Sequence, residues 1–388
     1  GPTTTTAEDA APSSDAPAEI APIEPGDWDP AFPIRVEPGT RHLVDDNDLP
    51  FLLHGDAPWS LIAELDRDEV DTYLADRRDR EFNTLLVNLL EALWASNAPA
   101  NIFGEPPFEV ADDFSTPNEA YFAHADWVIE RVADEGFLLL LAPAYLGFRS
   151  TNHGWWDAME ANGSDAMYDY GRFLGERYAA YDNIVWVLGG DDDPEIPEIM
   201  IALAEGIADA DPDALQTHHG APESRPFDVF PDSTWIDINN VYTYNAVHPR
   251  ALYEYVRTDL PYFLMESAYE DERPVPVSQI RTQAYHALLA GATGHVFGNN
   301  PVWHFSGPGL EAPPSTWQEA LDSPGARSME VLHDVWTTLP WWRLVPDESD
   351  SPWVVGDRGD GQQRLASAVT CDGDAAVLYT PTGDPVTL

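Results

Sequence analysis

The sequence predicts an α/β fold, a (β/α)8 TIM barrel with a small C-terminal all-β, sandwich-like appendage. Three observations predict it. From Pro50 onward, short apolar runs alternate with longer helical patterns, the signature of repeated βα units. The run over 137–142 is apolar throughout, as a parallel strand buried on both faces requires. The turn after the first run, His54-Gly55-Asp56-Ala57-Pro58-Trp59, is not the Gly-rich phosphate loop that a doubly wound open sheet would carry there. Eight units in about 290 residues fit a barrel, which usually takes ~250 residues before insertions.

Taken in order, the strands are expected over 51–56, 84–88, 137–142, 184–188, 215–218, 235–239, 262–266 and 295–298. Helices are expected between them over 67–80, 121–135, 166–181, 196–208, 249–257 and 277–290, and a last one over 326–339. In the second helix Trp127, Val128 and Val132 share one face. Beyond the last helix, over 326–339, the texture changes. The runs 353–355, 364–366 and 375–379 are short, strand-like and separated by Gly/Asp turns such as Cys371-Asp372-Gly373-Asp374. The expected organisation is a tether over 1–29, a barrel over 30–345 and a β-domain over 346–388. Three or four strands are marginal alone, so this piece should lie against the barrel.

The chain has 388 residues and 44% hydrophobic content, enough for a packed core. It carries 68 acidic residues against 19 basic ones, a formal charge of −49, and all 19 are Arg. Carboxylates hold water and cations in concentrated salt, where screening removes their mutual repulsion. The composition therefore reads as that of an extreme halophile's protein. Nucleic acid and anionic membranes would be repelled, and no apolar run approaches the ~20 residues of a membrane span. Cys371 is the sole cysteine, which excludes an intramolecular disulfide and a thiolate metal cluster. Gly1-Pro2 reads as a protease remnant, and residues 3–29 form a Thr/Ser/Pro/acid tract with too little apolar surface to order itself. Such a tract resembles the tether behind an export signal, so an extracellular or cell-surface location is expected.

In a TIM barrel the chemistry sits at the C-terminal ends of the strands. Polar residues gather there: Asp56 after the first strand and Asn88 at the second. Gly189-Gly190-Asp191 follows the fourth, His218-His219 the fifth and Asn239-Asn240-Val241-Tyr242 the sixth. Glu266 ends the seventh, with Asn299, Asn300 and Trp303 after the eighth. Glycoside hydrolysis needs one carboxylic acid to protonate the leaving oxygen and a second carboxylate to attack the sugar or activate water. Asp191 and Glu266, on strands that face each other across a barrel mouth, are the candidates. An acid ending the apolar strand Tyr262-Phe263-Leu264-Met265 has no packing reason to be there, whereas Asp191 could also cap a helix. Glu270 and Glu272, in the loop that follows, read as solvated or supporting groups. Aromatic residues in the βα loops, Trp59, Trp94, Tyr145, Trp155, Trp156, Tyr242, Tyr244 and Trp303, suit stacking on sugar faces. The expected substrate contacts are Asp56, Trp59, Asn88, Tyr145, His218, Asn240, Tyr242 and Trp303, with a carbohydrate as the partner and neither metal nor cofactor required.

Two alternatives stay open. His54, His218, His219, His248, His295 and Asp56 could belong to a metal-dependent barrel hydrolase, although that class wants a His-x-His at the first strand and His54-Gly55-Asp56 supplies half of it. The barrel could also be a carbohydrate-binding or cell-surface module without catalysis. A serine hydrolase is disfavoured, because no Gly-x-Ser-x-Gly elbow exists. Sugar, linkage and oligomeric state are not encoded in any motif.

Five segments taken together carry a resemblance. They are Gly55-Asp56-Ala57-Pro58-Trp59, Trp186-Val187-Leu188-Gly189-Gly190-Asp191, Glu266-Ser267-Ala268-Tyr269-Glu270, Arg281-Thr282-Gln283-Ala284-Tyr285 and Gly291-Ala292-Thr293-Gly294-His295. Over residues 34–344 the sequence resembles the apiosidase-like glycoside hydrolases, family 140 and its relatives. Those proteins are barrels followed by a β-sandwich designated collagen-binding, which the tail from Pro352 looks like; collagen binding itself is not predicted from the label. The resemblance implies that the Asp of Gly-Gly-Asp, here Asp191, is the acid/base. It implies that the first Glu of Glu-x-x-Tyr-Glu, here Glu266, is the nucleophile of a retaining reaction. Physics then asks for a raised pKa at Asp191, with Asp192, Asp193 and Glu266 as neighbouring charges, and for donors around Glu266, with Tyr242, His218 and Asn240 as candidates. One departure follows strand six. Relatives carry a Gln-x-Gly-His type segment where this chain has Val241-Tyr242-Thr243-Tyr244-Asn245, so apiose specificity is not carried over.

Overall fold

Eight parallel strands close almost completely into a barrel, in a computed structural model that describes residues 30–148, 153–348, 353–383 and 385–387. The acidic tract expected as a tether lies outside the described residues. The strands are β1 (Leu53–Asp56), β2 (Thr84–Asn88), β3 (Leu138–Ala142), β4 (Ile184–Gly189), β5 (Leu215–His219), β6 (Asn239–Tyr242), β7 (Tyr262–Glu266) and β8 (Gly294–Phe297). The crossovers hold α1 (Arg67–Asp79), α2 (Glu119–Asp134), α3 (Trp156–Tyr178), α4 (Pro197–Ala210), the one-turn α5 (Pro226–Val229), α6 (Val247–Arg257) and α7 (Val277–Leu289), and α8 (Pro324–Trp336) follows β8. No described helix is long and apolar enough to cross a membrane.

Hydrogen-bonded order runs β5-β4-β3-β2-β1-β8-β7-β6. The seam between β5 and β6 is bridged by an irregular pairing. Asp237 N donates to Gln216 O at 2.9 Å, Gln216 N donates to the Asp237 carboxylate at 2.9 Å, and Asn240 Nδ2 reaches Thr217 Oγ1 at 3.0 Å. That lead-in explains the largest departure from the expected strands. The run Trp235-Ile236-Asp237-Ile238 alternates like a strand, but Asp237 spends its side chain on the neighbouring backbone, so β6 begins where the sixth strand was expected to end. Helix α3 also starts ten residues early, because two helices join across Gly163 at φ 76°.

Period-two alternation sorts the side chains. Leu53, Leu86, Leu138, Leu140, Val185, Val187, Phe263 and Val296 fill the barrel, while Leu85, Val87, Leu139, Leu141, Trp186 and Leu188 pack outward against the helices. A small antiparallel sheet (Arg35–Val36, Leu43–Val44, Pro50–Phe51) plugs the N-terminal end, with Ile34, Leu43 and Phe51 joining the inner layer.

At the C-terminal end β9 (Leu344–Pro346), β10 (Ala366–Thr370) and β11 (Ala376–Tyr379) form an antiparallel sheet that lies against α7. Tyr379 stacks on Tyr285 at 4.4 Å with parallel rings, and its hydroxyl meets Thr282 Oγ1 at 3.0 Å. The expected strand over 353–355 is instead an irregular segment, and Leu344–Pro346 takes its place. There Asp347 draws the chain back by accepting the N–H groups of Trp353 and Val354.

Candidate active site

Two glycines bring the end of β4 to the barrel mouth. A Cβ on Gly189 (φ 117°) would lie 2.1 Å from His219 O, and one on Gly190 (φ 142°) 2.3 Å from the Tyr145 ring. With glycine there, Gly190 N donates to His219 O at 2.7 Å, and Asp191 follows with φ 35°, an uncommon conformation for a non-glycine residue. Its carboxylate accepts from the Tyr145 hydroxyl at 3.0 Å.

Glu266 reaches the same mouth by a different device. Phe263 and Met265 point into the barrel, so simple alternation would turn Glu266 outward. The register between β7 and β6 slips, however: Leu264 pairs with Val241 and Glu266 with Tyr242. One extra residue on β7 is a β-bulge, which re-aims the side chain that follows it. Glu266 Oε1 then accepts from the Tyr244 hydroxyl at 3.1 Å, and Tyr242 donates to Tyr244 at 3.1 Å.

His219 lies between the two acids. Its Nε2 is 3.2 Å from Glu266 Oε2 and 3.6 Å from Asp191 Oδ1, and the three ligating atoms lie within 4.8 Å of one another. Asp191 N points at His219 Nδ1 at 3.3 Å, which makes Nδ1 the acceptor and puts the ring proton of the neutral imidazole on Nε2, facing the carboxylates. Burial lowers the pKa of His219, so the ring is neutral. A carboxylate–histidine–carboxylate set could in principle ligate a divalent metal. Here that fit is poor, because a metal on Nε2 would need the proton on Nδ1, against the Asp191 N–H.

Burial raises both acids. Glu266 goes up to about 8 and Asp191 to about 7, the latter also through the charge of Glu266. One proton is therefore held between them near neutrality. Asp192 and Asp193, expected as the perturbing charges, are not among its causes; Asp193 instead accepts the N–H of Ala221.

Around the pair a cleft is lined by Trp59, Asn88, Trp94, Tyr145, Tyr244, Tyr269, Glu272 and Trp303. Trp59 Nε1 donates to Tyr269 Oη at 2.8 Å, and Trp94 and Trp303 meet edge to face at 5.5 Å. Glu91 fixes the Trp94 loop by accepting the N–H groups of Leu93 and Trp94.

Of the residues expected at the site, Asp191, Glu266, Trp59, Asn88, Tyr145 and Trp303 come together, and Tyr242 stands behind Tyr244, stacked on His219. Asp56, His218 and Asn240 do not reach the cleft. Asp56 points outward from β1, fully buried, where Tyr73 Oη donates to it at 2.7 Å and Arg77 pairs with it at 3.3 Å. His218 also points outward, with Nδ1 2.9 Å from Leu188 O and its ring against Phe230. Asn240 is spent on the β5–β6 seam. Of the expected donors to Glu266, Tyr242 acts on the carboxylate together with Tyr244, while His218 and Asn240 do not reach it, and His219 Nε2 approaches without a hydrogen bond. His219 could have been chosen over His218 from the alternation, since Leu215 faces inward and His219 lies four residues on. His54 likewise faces outward, 3.1 Å from His295, and Glu270 caps α8 by accepting Gly325 N at 2.8 Å.

The model of the apiosidase-like catalytic domain matches residues 37–343. The chain belongs to the apiosidase-like family. Among solved structures this family member is similar to a glycoside hydrolase family 5 protein from Bacteroides vulgatus, at 25% identity and a TM-score of 0.78, covering 91% of this chain and 80% of that one. It is similar to a protein titled glycoside hydrolase, at 23% identity and a TM-score of 0.74, over 88% and 82% of the two chains. An endo-1,4-beta-mannanase from Rhizomucor miehei shares the fold at 12% identity and a TM-score of 0.55, over 78% and 99%. No curated protein matches the sequence. The apiosidase-like chain is therefore a glycoside hydrolase-like TIM barrel.

Proposed function

We propose that this chain is a retaining glycoside hydrolase in which Glu266 is the nucleophile and Asp191 the acid/base, acting on a polysaccharide or its side chains. The observation that carries the reading is the closeness of the pair: facing oxygens of Asp191 and Glu266 lie within 4.8 Å of each other at the barrel mouth. So near an approach favours the ~5–5.5 Å between carboxyl groups of retaining pairs over the ~6.5–9.5 Å that leaves room for a water in inverting ones.

The proposed reaction runs in two steps. Asp191 gives its proton to the leaving oxygen while Glu266 attacks the anomeric carbon, forming a glycosyl-enzyme. Asp191, now ionised, takes a proton from water, which displaces Glu266. The donors support this division. Hydrogen bonds from Tyr244 and Tyr242 favour the charge on Glu266 and work against burial, which still lifts it to about 8. Burial and that neighbouring charge together favour the proton on Asp191, lifted to about 7. The aromatic walls suit an apolar sugar face, with Asn88 and the hydroxyls as polar anchors.

The charge of −49 supports a salt-adapted protein, and the tract over 3–29 supports an exported one. The test is turnover of a panel of aryl glycosides and polysaccharides by the full chain in multimolar KCl. Hydrolysis that Glu266→Ala abolishes is the expected result. A folded chain inactive on every glycoside would count against the proposal.

A further inference from the structure

The buried acids of this barrel are partnered, with one exception beside the catalytic pair. Glu64 takes the N–H and hydroxyl of Ser96, Glu254 pairs with Arg250, Glu270 accepts from Gly325 and Asn299, and Asp347 pairs with Arg358. Glu272 is 7% exposed, yet it accepts no hydrogen bond and forms no ion pair among the described residues. The adjacent cation makes no ion pair with it: Arg273 lays its guanidinium over the Tyr244 ring, 4.5 Å from the centroid. Glu272 lines the cleft together with Asp191, Glu266, Tyr244, Tyr269 and Trp303.

The burial of Glu272 is offset by no protein donor among the described residues, only by what enters the cleft on which its oxygens open. Burial together with the charges of Glu266 and Asp191 raises its pKa to about 7, while Arg273 pulls it down. Bound sugar would supply what the protein withholds, since its hydroxyls are donors and its C–H face suits the aromatic wall. A sugar carrying its own carboxylate would instead add a further negative charge beside these acids.

We propose that Glu272 is a specificity-determining residue that accepts hydroxyl donors of a neutral sugar and turns away uronic acids. The inference rests on the glycosidase reading of the cleft and names the substrate class for it. A structural acid would be partnered; Glu272 is not, and its oxygens open on the cleft.

Glu272→Gln and Glu272→Ala in the full chain test this on neutral aryl glycosides and the matching aryl uronides. Wild type should favour the neutral member of each pair. Glu272→Ala should lower kcat/KM on the best neutral substrate at least 30-fold, mainly through KM, with Glu272→Gln losing less because its amide oxygen still accepts. Glu272→Gln should narrow the neutral-to-uronide gap at least tenfold. Its Tm should exceed that of wild type at pH 8, because an unpartnered charge has been removed. A wild-type preference for uronides, a gap left unchanged, or kcat/KM of Glu272→Ala within twofold of wild type would overturn the proposal. A wild type inactive on every glycoside would overturn the hydrolase reading alone. The Glu272 inference would then be decided by the Tm at pH 8, and a value equal to or below wild type would overturn it.

Discussion

The Nε2 of His219 lies 3.2 Å from Oε2 of Glu266, with the ring's tautomer set by the backbone N–H of Asp191 at its other nitrogen. One acid's main chain thus turns a ring N–H toward the other acid's side chain, short of a hydrogen bond. Replacing His219 by Ala should lower kcat by about tenfold, less than the ~10²-fold of losing an aligned donor. Glu266 would become harder to ionise, so the acidic limb of the kcat/KM profile should move to higher pH. His219→Gln keeps an N–H and should retain more activity. An unchanged pH profile in His219→Ala would separate the ring from Glu266.

Burial of the pair also predicts a stability cost that depends on pH. Folding raises the pKa of both acids, to about 7 for Asp191 and about 8 for Glu266, above ordinary values near 4. The stability they contribute is fully present below about pH 4, where both are protonated folded or unfolded. It is lost as pH rises through 7–8, where the folded chain must ionise them. Glu266→Gln should therefore leave Tm nearly unchanged at pH 4 and raise it at pH 8.5 by a few °C, on the order expected for a chain of this size. Thermal unfolding followed across that range checks it; a gain at low pH or a loss at high pH would contradict the sign.

Asp56 predicts the opposite pattern from a cleft residue. Its carboxylate joins Tyr73 on α1 and Arg77 beside it, all fully buried. Asp56→Ala takes the acceptor from the buried Tyr73 hydroxyl and one of two carboxylates from Arg77, which keeps Asp76 and Leu321 O, so the loss should be about 1–3 kcal/mol. Chemical denaturation should register that loss, while kcat of the protein that remains folded stays within about threefold of wild type. A selective loss of kcat at full stability would return Asp56 to the site.

Charge predicts a strong response to salt. With 68 acidic residues against 19 Arg, self-repulsion in dilute buffer should be relieved by screening. Tm measured from dilute buffer to multimolar KCl should rise steeply. A flat profile would mean that the acidity serves something other than salt adaptation.

Much of this was legible in the residues. Strands β2 and β7 lie over the residues expected from their apolar runs, because those runs are long and bounded by turn signals. Glu266 was legible because an acid at the end of an apolar strand has no packing role, and Asp191 because it follows the strand facing it across the barrel mouth. Facing was harder to read. His54, Asp56 and His218 sit at strand ends like true site residues, yet alternation turns them outward. Glu266 escapes the same fate through the slip at Leu264, and nothing in Phe263-Leu264-Met265-Glu266 announces a bulge. Tyr244, Tyr269 and Glu272 come from loops, whose paths are set by tertiary contacts such as Trp59 with Tyr269. The Trp235-Ile236-Asp237-Ile238 run misled for a similar reason, since the role of Asp237 depends on a partner twenty-one residues away.

The most direct test of the central claim is the product that Asp191→Ala makes from an activated aryl glycoside in added azide. Asp191→Ala should form the glycosyl-enzyme with such a substrate, because a good leaving group needs little protonation, and azide should then displace Glu266 without a general base. The account predicts partial rescue of the rate and a glycosyl azide with the anomeric configuration of the substrate, identified by NMR. A glycosyl azide of inverted configuration, or equal loss on activated and unactivated substrates without rescue, would contradict it.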